Sequence, residues 1–462
     1  MREDSCHRSR LVVATDLGER WLARLEDDHV AEVRVAPLGD DSLGGAIFKG
    51  RVVRSASGMN AVFVDVGLAR DLLLVAPTTR GEVTPLPRVG QGVLVQLVRE
   101  AAAGKGHRAT VEISLAGTLA ILAPGGRHRG ISRRLDAAER ERLRAVLEEV
   151  APAEHGVILR TAAGGASREE IAEALQHLVE KWERLGRRAE SLGCPALVEP
   201  GEDRVLRFVR DRLAGGEMEI IADDEDALAT IKAFLASEPV GKAPVLRLHE
   251  GPVPAVEAFG LDRALAHCLE SQAELPGGGR LVIQRTEAMV TVDVNSGHDM
   301  DQGDLEQTAL RTNLEAARAA AREIVLRNLA GLIVIDFIDM RLAASRHAVS
   351  QALAEALAAD RARHRLLPLT EFCLGQITRQ RRGPSVTEAF TLPCTSCLAG
   401  RLPAPAYRAR ALLREARREV RERGRGPVKL HADREVLDHA RRIAAAWGPS
   451  SGLPESALNW SD

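Results

Sequence analysis

Three features of this 462-residue chain predict a multidomain α+β protein. Two hydrophobic runs that each end in a carboxylate flank one long amphipathic helix, roughly five short strands crowd into about 70 residues, and the length suffices for about three domains. A hydrophobic content of 45% indicates ordinary globular cores. Residues Met1 to Arg10 are polar, and no run approaches the roughly 18 apolar residues of a membrane span, so a cytoplasmic protein is expected. The net charge of -2 excludes a globally basic nucleic-acid binder. Any polyanion contact must come from local clusters such as Arg127-His128-Arg129, Arg133-Arg134 and Arg379-Gln380-Arg381-Arg382. Aromatic residues make up 3% of the chain, which limits base stacking to a few positions.

Along the chain, Leu11 to Ala14 and His29 to Val33 alternate like two paired strands, joined by a segment that holds Trp21 and Leu22. From Gly44 the texture changes. Ala46 to Val53, Met59 to Val66, Asp71 to Val75 and Gly92 to Val98 read as short strands separated by Gly or Pro, with Pro77 to Gly90 as a loop. That spacing predicts a small β-barrel of the OB class, often an oligonucleotide binder. Phe63 and the Lys105-Gly106-His107-Arg108 loop are its candidate binding-face features, although a lone Phe in a strand is more often core.

Asp136 to Val150 and Ser167 to Leu192 read as helices, the second opened by a Ser167/Glu170 capping box. Between them, Gly156 to Thr161 is a strand that presents Arg160 and Thr161 before the glycine turn Gly164-Gly165. An Arg and a hydroxyl beside such a turn can grip a phosphate through forked hydrogen bonds and backbone donors. A surface Arg at a strand end fits the same pattern. Helical and strand segments from Asp203 to Leu269 then lead into the turn Pro276-Gly277-Gly278-Gly279.

The two carboxylate-ended runs follow, Val290 to Gly297 and Leu332 to Met340. In the first, the strand period puts Asp293 and Asn295 on one face and Val290, Val292 and Val294 on the other. Between the runs, Asp304 to Arg327 has helical spacing at Leu310, Leu314, Ala317, Ala321 and Ile324. A strand, crossover helix and parallel strand bring Asp293 and Asp336 to the carboxyl edge of the sheet, where α/β folds bind ligands. Two carboxylates converging there repel unless a cation lies between them, and oxygen ligation suits magnesium or manganese. Strand-terminal Asp is also common as a turn residue, and pattern alone does not separate the two readings.

Cys6, Cys194, Cys268 and Cys373 are scattered singly and read as structural. Cys394-Thr395-Ser396-Cys397 has zinc-ligand spacing, yet zinc wants four ligands. The pair is a redox motif, a coincidence, or half of a site completed by a second chain, which predicts a symmetric dimer. From Pro403 onward the chain is Arg-rich and helical at Ala406 to Arg423, and it ends in a polar tail.

Taken together, these segments resemble the ribonuclease E/G family of bacterial RNA-processing endonucleases, nearer its short G-like form. The resemblance spans roughly residues 40 to 400. It is carried by the D-x-N-S-G run at Asp293 to Gly297, Thr312-Asn313-Leu314-Glu315-Ala316-Ala317, Gly331 to Met340, Gly130-Ile131-Ser132-Arg133-Arg134, Arg160-Thr161-Ala162, Ala61 to Gly67 and the Cys-x-x-Cys. It implies an RNase H-like subdomain (1–42 and 205–269) interrupted by an OB-fold RNA-binding barrel (43–114) and a 5′-sensor region (115–204). A DNase I-like catalytic subdomain (270–390), a zinc link (391–402) and a shortened carboxyl-terminal region (403–462) follow.

By the same resemblance, Asp293 and Asp336 hold a catalytic magnesium and Asn295 orients Asp293. Arg133, Arg160 and Thr161 match the pocket for a 5′-monophosphate, Phe63 and Lys105 match RNA contacts of the barrel, and Cys394 and Cys397 share zinc between the chains of a homodimer. The implied activity is cleavage of single-stranded, AU-rich RNA in rRNA processing and mRNA decay, leaving 5′-phosphate and 3′-hydroxyl ends.

The sequence departs from the family pattern in four places. Leu73 stands where a second barrel aromatic is usual, and His298-Asp299-Met300-Asp301 is acidic where the family tends to be basic. Pro393 precedes the cysteines instead of lying between them, with the following glycines reduced to Gly400, and the region after Arg401 is short. Leu73 and the acidic loop motivate the competing class, a catalytically weak RNA-binding scaffold. A phosphatase or deoxyribonuclease does not account for the barrel or the sensor.

Overall fold

The computed structural model describes residues 9–39, 43–76, 78–79, 82–83, 85–100, 106–213, 218–239, 243–297, 305–394, 400–423, 427–447, 450 and 452–461. Lys105, Cys397 and the acidic segment after Gly297 lie outside them. The chain divides into two compact units, one formed by Met1–Leu38, Ile221–Asp224 and His249–Asp462, the other by Gly39–Ile220 and Glu225–Leu248. Among the described residues no helix is long and apolar enough to cross a membrane.

The first unit opens with an antiparallel meander of Ser9–Asp16, Glu19–Glu26 and His29–Pro37. This corrects the expected pairing of Leu11 to Ala14 with His29 to Val33. The joining segment is itself the middle strand: Trp21, Ala23 and Leu25 alternate onto the buried face, while the charged residues interleaved among them hid the period. Asp27 and Asp28, at φ 45° and 68°, make the tight turn between the last two strands. Ile221–Asp224 returns to the same unit, where the Asp223 N–H donates to Val13 O at 3.2 Å and its carboxylate accepts the Thr15 N–H.

The main sheet of this unit runs in the order Gln272–Glu274, Arg280–Arg285, Met289–Asn295, Gly331–Asp336, Leu374–Arg379, His364–Leu367. Met289–Asn295 and Gly331–Asp336 are parallel, joined by the crossover helix Leu305–Leu326, and the other neighbours are antiparallel. Val290, Val292, Val294, Ile333 and Ile335 share one core with Ala316, Ala317, Ala320 and Ile324 of that helix and Val349 and Leu353 of Ala343–Leu357. Alanine at successive helix positions lets the helix lie close on the sheet, and the buried stripe repeats at the helical period.

The carboxyl-terminal region is folded, contrary to the polar tail that its composition suggests. Helices Pro405–Arg423 and Arg434–Trp447 pack with the parallel strands Val428–His431 and Leu458–Ser461 around Leu413, Leu430, Leu437, Ala440 and Ala444. Leu17 joins this core, and the helix Pro405–Arg423 lays a row of arginines over the first hairpin. Arg414 bonds Asp16 at 2.6 Å and Glu19 at 3.2 Å, while Arg417 bonds Asp16 at 2.6 Å and Glu257 at 2.7 Å. All five of these charged residues are buried.

In the second unit, the close strand spacing does yield a closed five-stranded barrel. Its order is Ile47–Ala56, Ala61–Asp65, Leu72–Val75, Arg108–Thr110, Gly92–Arg99, and the last strand pairs back to the first. Phe48, Val52, Val64, Leu72, Leu74, Val95 and Leu97 fill it. Gly50 is required on the inner face, since a β-carbon there would meet Val64 Cγ1 at 2.5 Å and Asp65 O at 2.8 Å. Within the expected loop, Thr78–Thr79 and Glu82–Val83 form a two-rung hairpin.

Beyond the barrel, Leu115–Ala116, Ala120–Pro124, His155–Leu159 and Arg129–Ile131 make a four-stranded sheet whose last two strands are parallel. Helix Ala137–Val150 starts at the Asp136 cap, and helix Arg168–Ser191 has the Ser167/Glu170 capping box in both directions.

Candidate active site

The parallel register makes Asp293 the direct partner of Asp336. Both side chains are exposed at the carboxyl ends of their strands, on the face away from the helices. With neighbouring strands about 4.8 Å apart, the two carboxylates fall within reach of one ion. Asn295 shares the face of Asp293 by the strand period and donates its Nδ2 amide to Asp293 Oδ2 at 2.7 Å, which fixes that carboxylate.

Among the described residues no group of three or more His, Cys, Asp or Glu converges on a metal position. Tetrahedral zinc would need such a set. Magnesium keeps several waters and takes one or two carboxylates, and Asp293 with Asp336 fits that demand. The backbone behind them is tightly built. A β-carbon on Gly297 would collide with Gly278 O, and one on Gly279 would stand 2.6 Å from Asn295 O, so the D-x-N-S-G run and the glycine turn need each other.

On the barrel, cross-strand registers set Arg54 beside Phe63, Phe63 beside Leu73, Leu73 beside Arg108, and Arg108 beside Arg99. Val62 and Val64 point into the core, so half-buried Phe63 belongs to the outer surface. The Arg54 guanidinium lies 3.8 Å from the Phe63 ring centroid. This row combines cations, one aromatic and one aliphatic side chain, a composition suited to a single strand of nucleic acid.

At the four-stranded sheet, Arg129–Ile131 and His155–Leu159 end side by side, with Ile131 paired to Leu159. Ser132 and Arg133 therefore emerge next to Arg160 and Thr161, and Ser132 Oγ hydrogen-bonds Thr161 Oγ1 at 2.9 Å. Arg133 is exposed. Arg160 is held by Gly117 O at 2.8 Å and Asp211 Oδ1 at 2.6 Å. Burial alone would raise the Asp211 carboxyl, but Arg210 and Arg160 outweigh it and hold the group well below the usual range.

The glycine turn does not supply the expected donors. The Gly164 N–H goes to Thr161 O and the Gly165 N–H to Glu139 Oε1. Glu139 is held down to about 2 by the Arg142 hydrogen bond and by that Gly165 donor.

The sequence matches the Ribonuclease E/G family over residues 114–382. It is 34% identical over 388 residues to the ribonuclease E of Nostoc sp. (strain PCC 7120), covering 81% of this chain and 56% of that one. It is 31% identical over 396 residues to the ribonuclease G of Haemophilus influenzae (82% and 81% covered) and 33% over 405 residues to the ribonuclease E of Escherichia coli K12 (84% and 38%). The chain belongs to the ribonuclease E/G family. It spans little more than half of the Nostoc protein and well under half of the Escherichia coli one, but most of the ribonuclease G.

In this ribonuclease E/G family protein, several residues that support the site carried no assigned role in the sequence. Asn313, fully buried in the crossover helix, donates Nδ2 to Ile338 O at 2.8 Å and accepts the Ile338 N–H at 3.0 Å, clamping the segment after Asp336. Glu315 accepts the Gly277 N–H at 2.9 Å, tying the same helix to the glycine turn. Glu306 accepts the N–H groups of Arg341 and Leu342. The Thr312 to Ala317 motif was the only signal for the first two.

The cluster at Arg379 to Arg382 is not a uniform polyanion patch. Arg379 turns inward to a buried forked pair with Asp360, at 2.7 and 3.0 Å, and Arg381 pairs with Glu388. Cys394 follows the strand Thr391–Pro393, which pairs with Arg401–Pro403, and its N–H donates to Gly400 O at 2.8 Å. Cys397 lies outside the described residues.

Proposed function

We propose that this protein is a magnesium-dependent endoribonuclease that cleaves single-stranded RNA to 5′-phosphate and 3′-hydroxyl products. The facing pair Asp293 and Asp336, with Asn295 bonded to Asp293, is the observation that carries this reading. Family membership supplies the class of reaction.

Asp293 and Asp336 hold magnesium or manganese, whose chemistry there is the activation of water for in-line attack and the neutralisation of charge developing on the phosphodiester. Asn295 keeps the Asp293 carboxylate oriented. Asn313 and Glu306 keep the segment after Asp336 from drifting, because the site tolerates little misplacement. Phe63, with the arginines in its row and with Lys105, binds the RNA strand, Phe63 by stacking a base. The test is cleavage of a 5′-monophosphorylated, AU-rich single strand in magnesium, its loss on chelation, and its return with magnesium or manganese. Undiminished cleavage after chelation would contradict the metal assignment.

Arg133, Arg160 and Thr161 recognise a 5′-monophosphate. Arg160 is oriented for this by Asp211 and Gly117, and a charge-assisted bond of about 1.5–3 kcal/mol makes its loss visible. Arg160→Ala is expected to cut the preference for 5′-monophosphate over 5′-hydroxyl substrates about tenfold or more. An unchanged ratio of kcat/KM values would leave Arg160 as a structural residue.

The subdomain plan follows the same reading. Residues 1–42 with 205–269 form the RNase H-like part, 43–114 the OB-fold barrel, 115–204 the sensor, 270–390 the DNase I-like catalytic part, 391–402 the zinc link and 403–462 the carboxyl-terminal region. Cys394 and Cys397 of two chains complete one tetrahedral zinc site in a cytoplasmic homodimer. Metal analysis is expected to give about half an equivalent of zinc per chain, lost together with the dimer in Cys394→Ser. One full equivalent on a monomer would contradict sharing. The cellular roles assigned on this reading are rRNA processing and mRNA decay.

A further inference from the structure

Phe372 is 78% exposed, and among the described residues it is the one aromatic ring among the strongly exposed large apolar side chains. A scattered exposed Leu or Val is ordinary. A phenyl ring held in water on a braced turn is less so, in a chain where aromatics are only 3%.

Thr370, Cys373 and Leu374 brace the turn on either side of the ring. The Thr370 N–H donates to Leu374 O at 3.1 Å, the Cys373 N–H to Thr370 O at 3.1 Å, and the Leu374 N–H to Thr370 Oγ1 at 3.1 Å. Cys373 adopts φ 57°, a left-handed conformation that costs a non-glycine residue strain. Its buried sulfur accepts the Met340 N–H at 3.2 Å, and its carbonyl accepts the Phe337 N–H at 3.4 Å. Cys373 thus pins the turn to the segment that follows Asp336.

Leu374 is the cross-strand partner of Asp336. Phe372 lies two residues before it, which puts its Cα no more than about 13 Å from that of Asp336 by chain geometry. The ring stands at the same sheet edge as the paired carboxylates, on a turn held by these hydrogen bonds.

We infer that Phe372 is a stacking platform for a nucleobase next to the scissile phosphate. The inference rests on the endoribonuclease reading above and adds to it a substrate contact within the catalytic part of the chain. Stacking holds one nucleotide flat, so the adjoining phosphodiester is presented to Asp293 and Asp336 in a fixed orientation. The contact tolerates any base, because every base has a π-face.

The test compares the wild type with Phe372→Leu and Phe372→Trp on a 5′-monophosphorylated single-stranded RNA, and on the same RNA carrying one abasic nucleotide at successive positions around the cleavage site. Phe372→Leu, with unchanged thermal unfolding, is expected to lower kcat/KM about tenfold or more, and Phe372→Trp to restore it. One abasic position should lower wild-type cleavage by a similar factor and have little further effect on Phe372→Leu. Wild-type cleavage with Phe372→Leu undiminished, or an abasic loss of equal size in both proteins, overturns the inference alone. Absence of wild-type cleavage overturns the endoribonuclease reading and the inference with it.

Discussion

Asp336→Asn is expected to lower RNA cleavage at least about a thousandfold, equivalent to about 4 kcal/mol of transition-state stabilisation, without altering the fold. The substitution keeps the shape of an exposed side chain at a strand end, so packing is not disturbed. What changes is charge: one carboxylate of the facing pair becomes an amide, and the remaining one cannot hold a divalent ion as tightly. Asp293→Asn should behave alike. Asn295→Ala should lose less, about 10- to 100-fold, because Asn295 only orients Asp293. Raising magnesium should recover part of the Asp336→Asn loss if weak metal binding is the cause. The measurement is single-turnover cleavage across a magnesium series, with thermal unfolding as the control. Full activity in both Asp variants would remove the carboxylate pair from the mechanism.

Arg417→Ala is expected to destabilise the first unit by about 3–5 kcal/mol, the cost of stranding buried charge. Arg417 reaches Asp16 at 2.6 Å and Glu257 at 2.7 Å, and neither acid can turn to water. Urea titration read at the transition that reports the first unit checks the value, since a chain of two units need not unfold in one step. A shift below 1 kcal/mol would mean that Arg414 and Arg421 compensate fully.

The pH dependence has a definite sign. Burial pushes Glu257 up, but hydrogen bonds and charge from Arg421 and Arg417 more than offset this, and its pKa falls below the ordinary 4.5. Its contribution is therefore present above 4.5 and lost as pH drops through the depressed value. Glu19 acts the other way, being raised by burial in spite of Arg410 and Arg414, so its own contribution declines as pH rises through its folded pKa. Acid lability of this contact should trace to Glu257.

The barrel and the strand–helix–strand unit were legible because each depends on local periodicity. Phe48, Val52, Val62 and Val64 fall on the inner face at the strand period, and the stripe from Ala309 to Ile324 repeats at the helical turn. The pairing of Asp293 with Asn295 followed from the period of two, and the edge at which Asp336 joins them followed from a parallel crossover. Other parts depend on partners far away in sequence. Asn313 finds Ile338 25 residues on, Glu306 finds Arg341 35 residues on, and no local pattern specifies either. Arg379 looked like part of a basic surface because nothing nearby in sequence shows that Asp360 will be buried against it. The strand at Trp21 was hidden by charged residues on its outer face. The helix Arg434–Trp447 is hard to read from the sequence because its apolar stripe, Val436, Leu437, Ala440 and Ala444, is sparse and half alanine.

The clasp between Arg417 and Asp16 joins residues 401 positions apart. At a synthesis rate of about 5–20 residues per second, the first hairpin leaves the ribosome roughly 20–80 s before its arginine partner exists. During that interval Asp16 and Glu19 lack the cations that neutralise them in the finished protein, so the opening strands cannot close into their final buried state. The second unit, made wholly in between, is free to fold first. The oldest part of the chain is thus among the last to be sealed, and a chain stopped before Arg414 leaves its beginning as unfinished as its end.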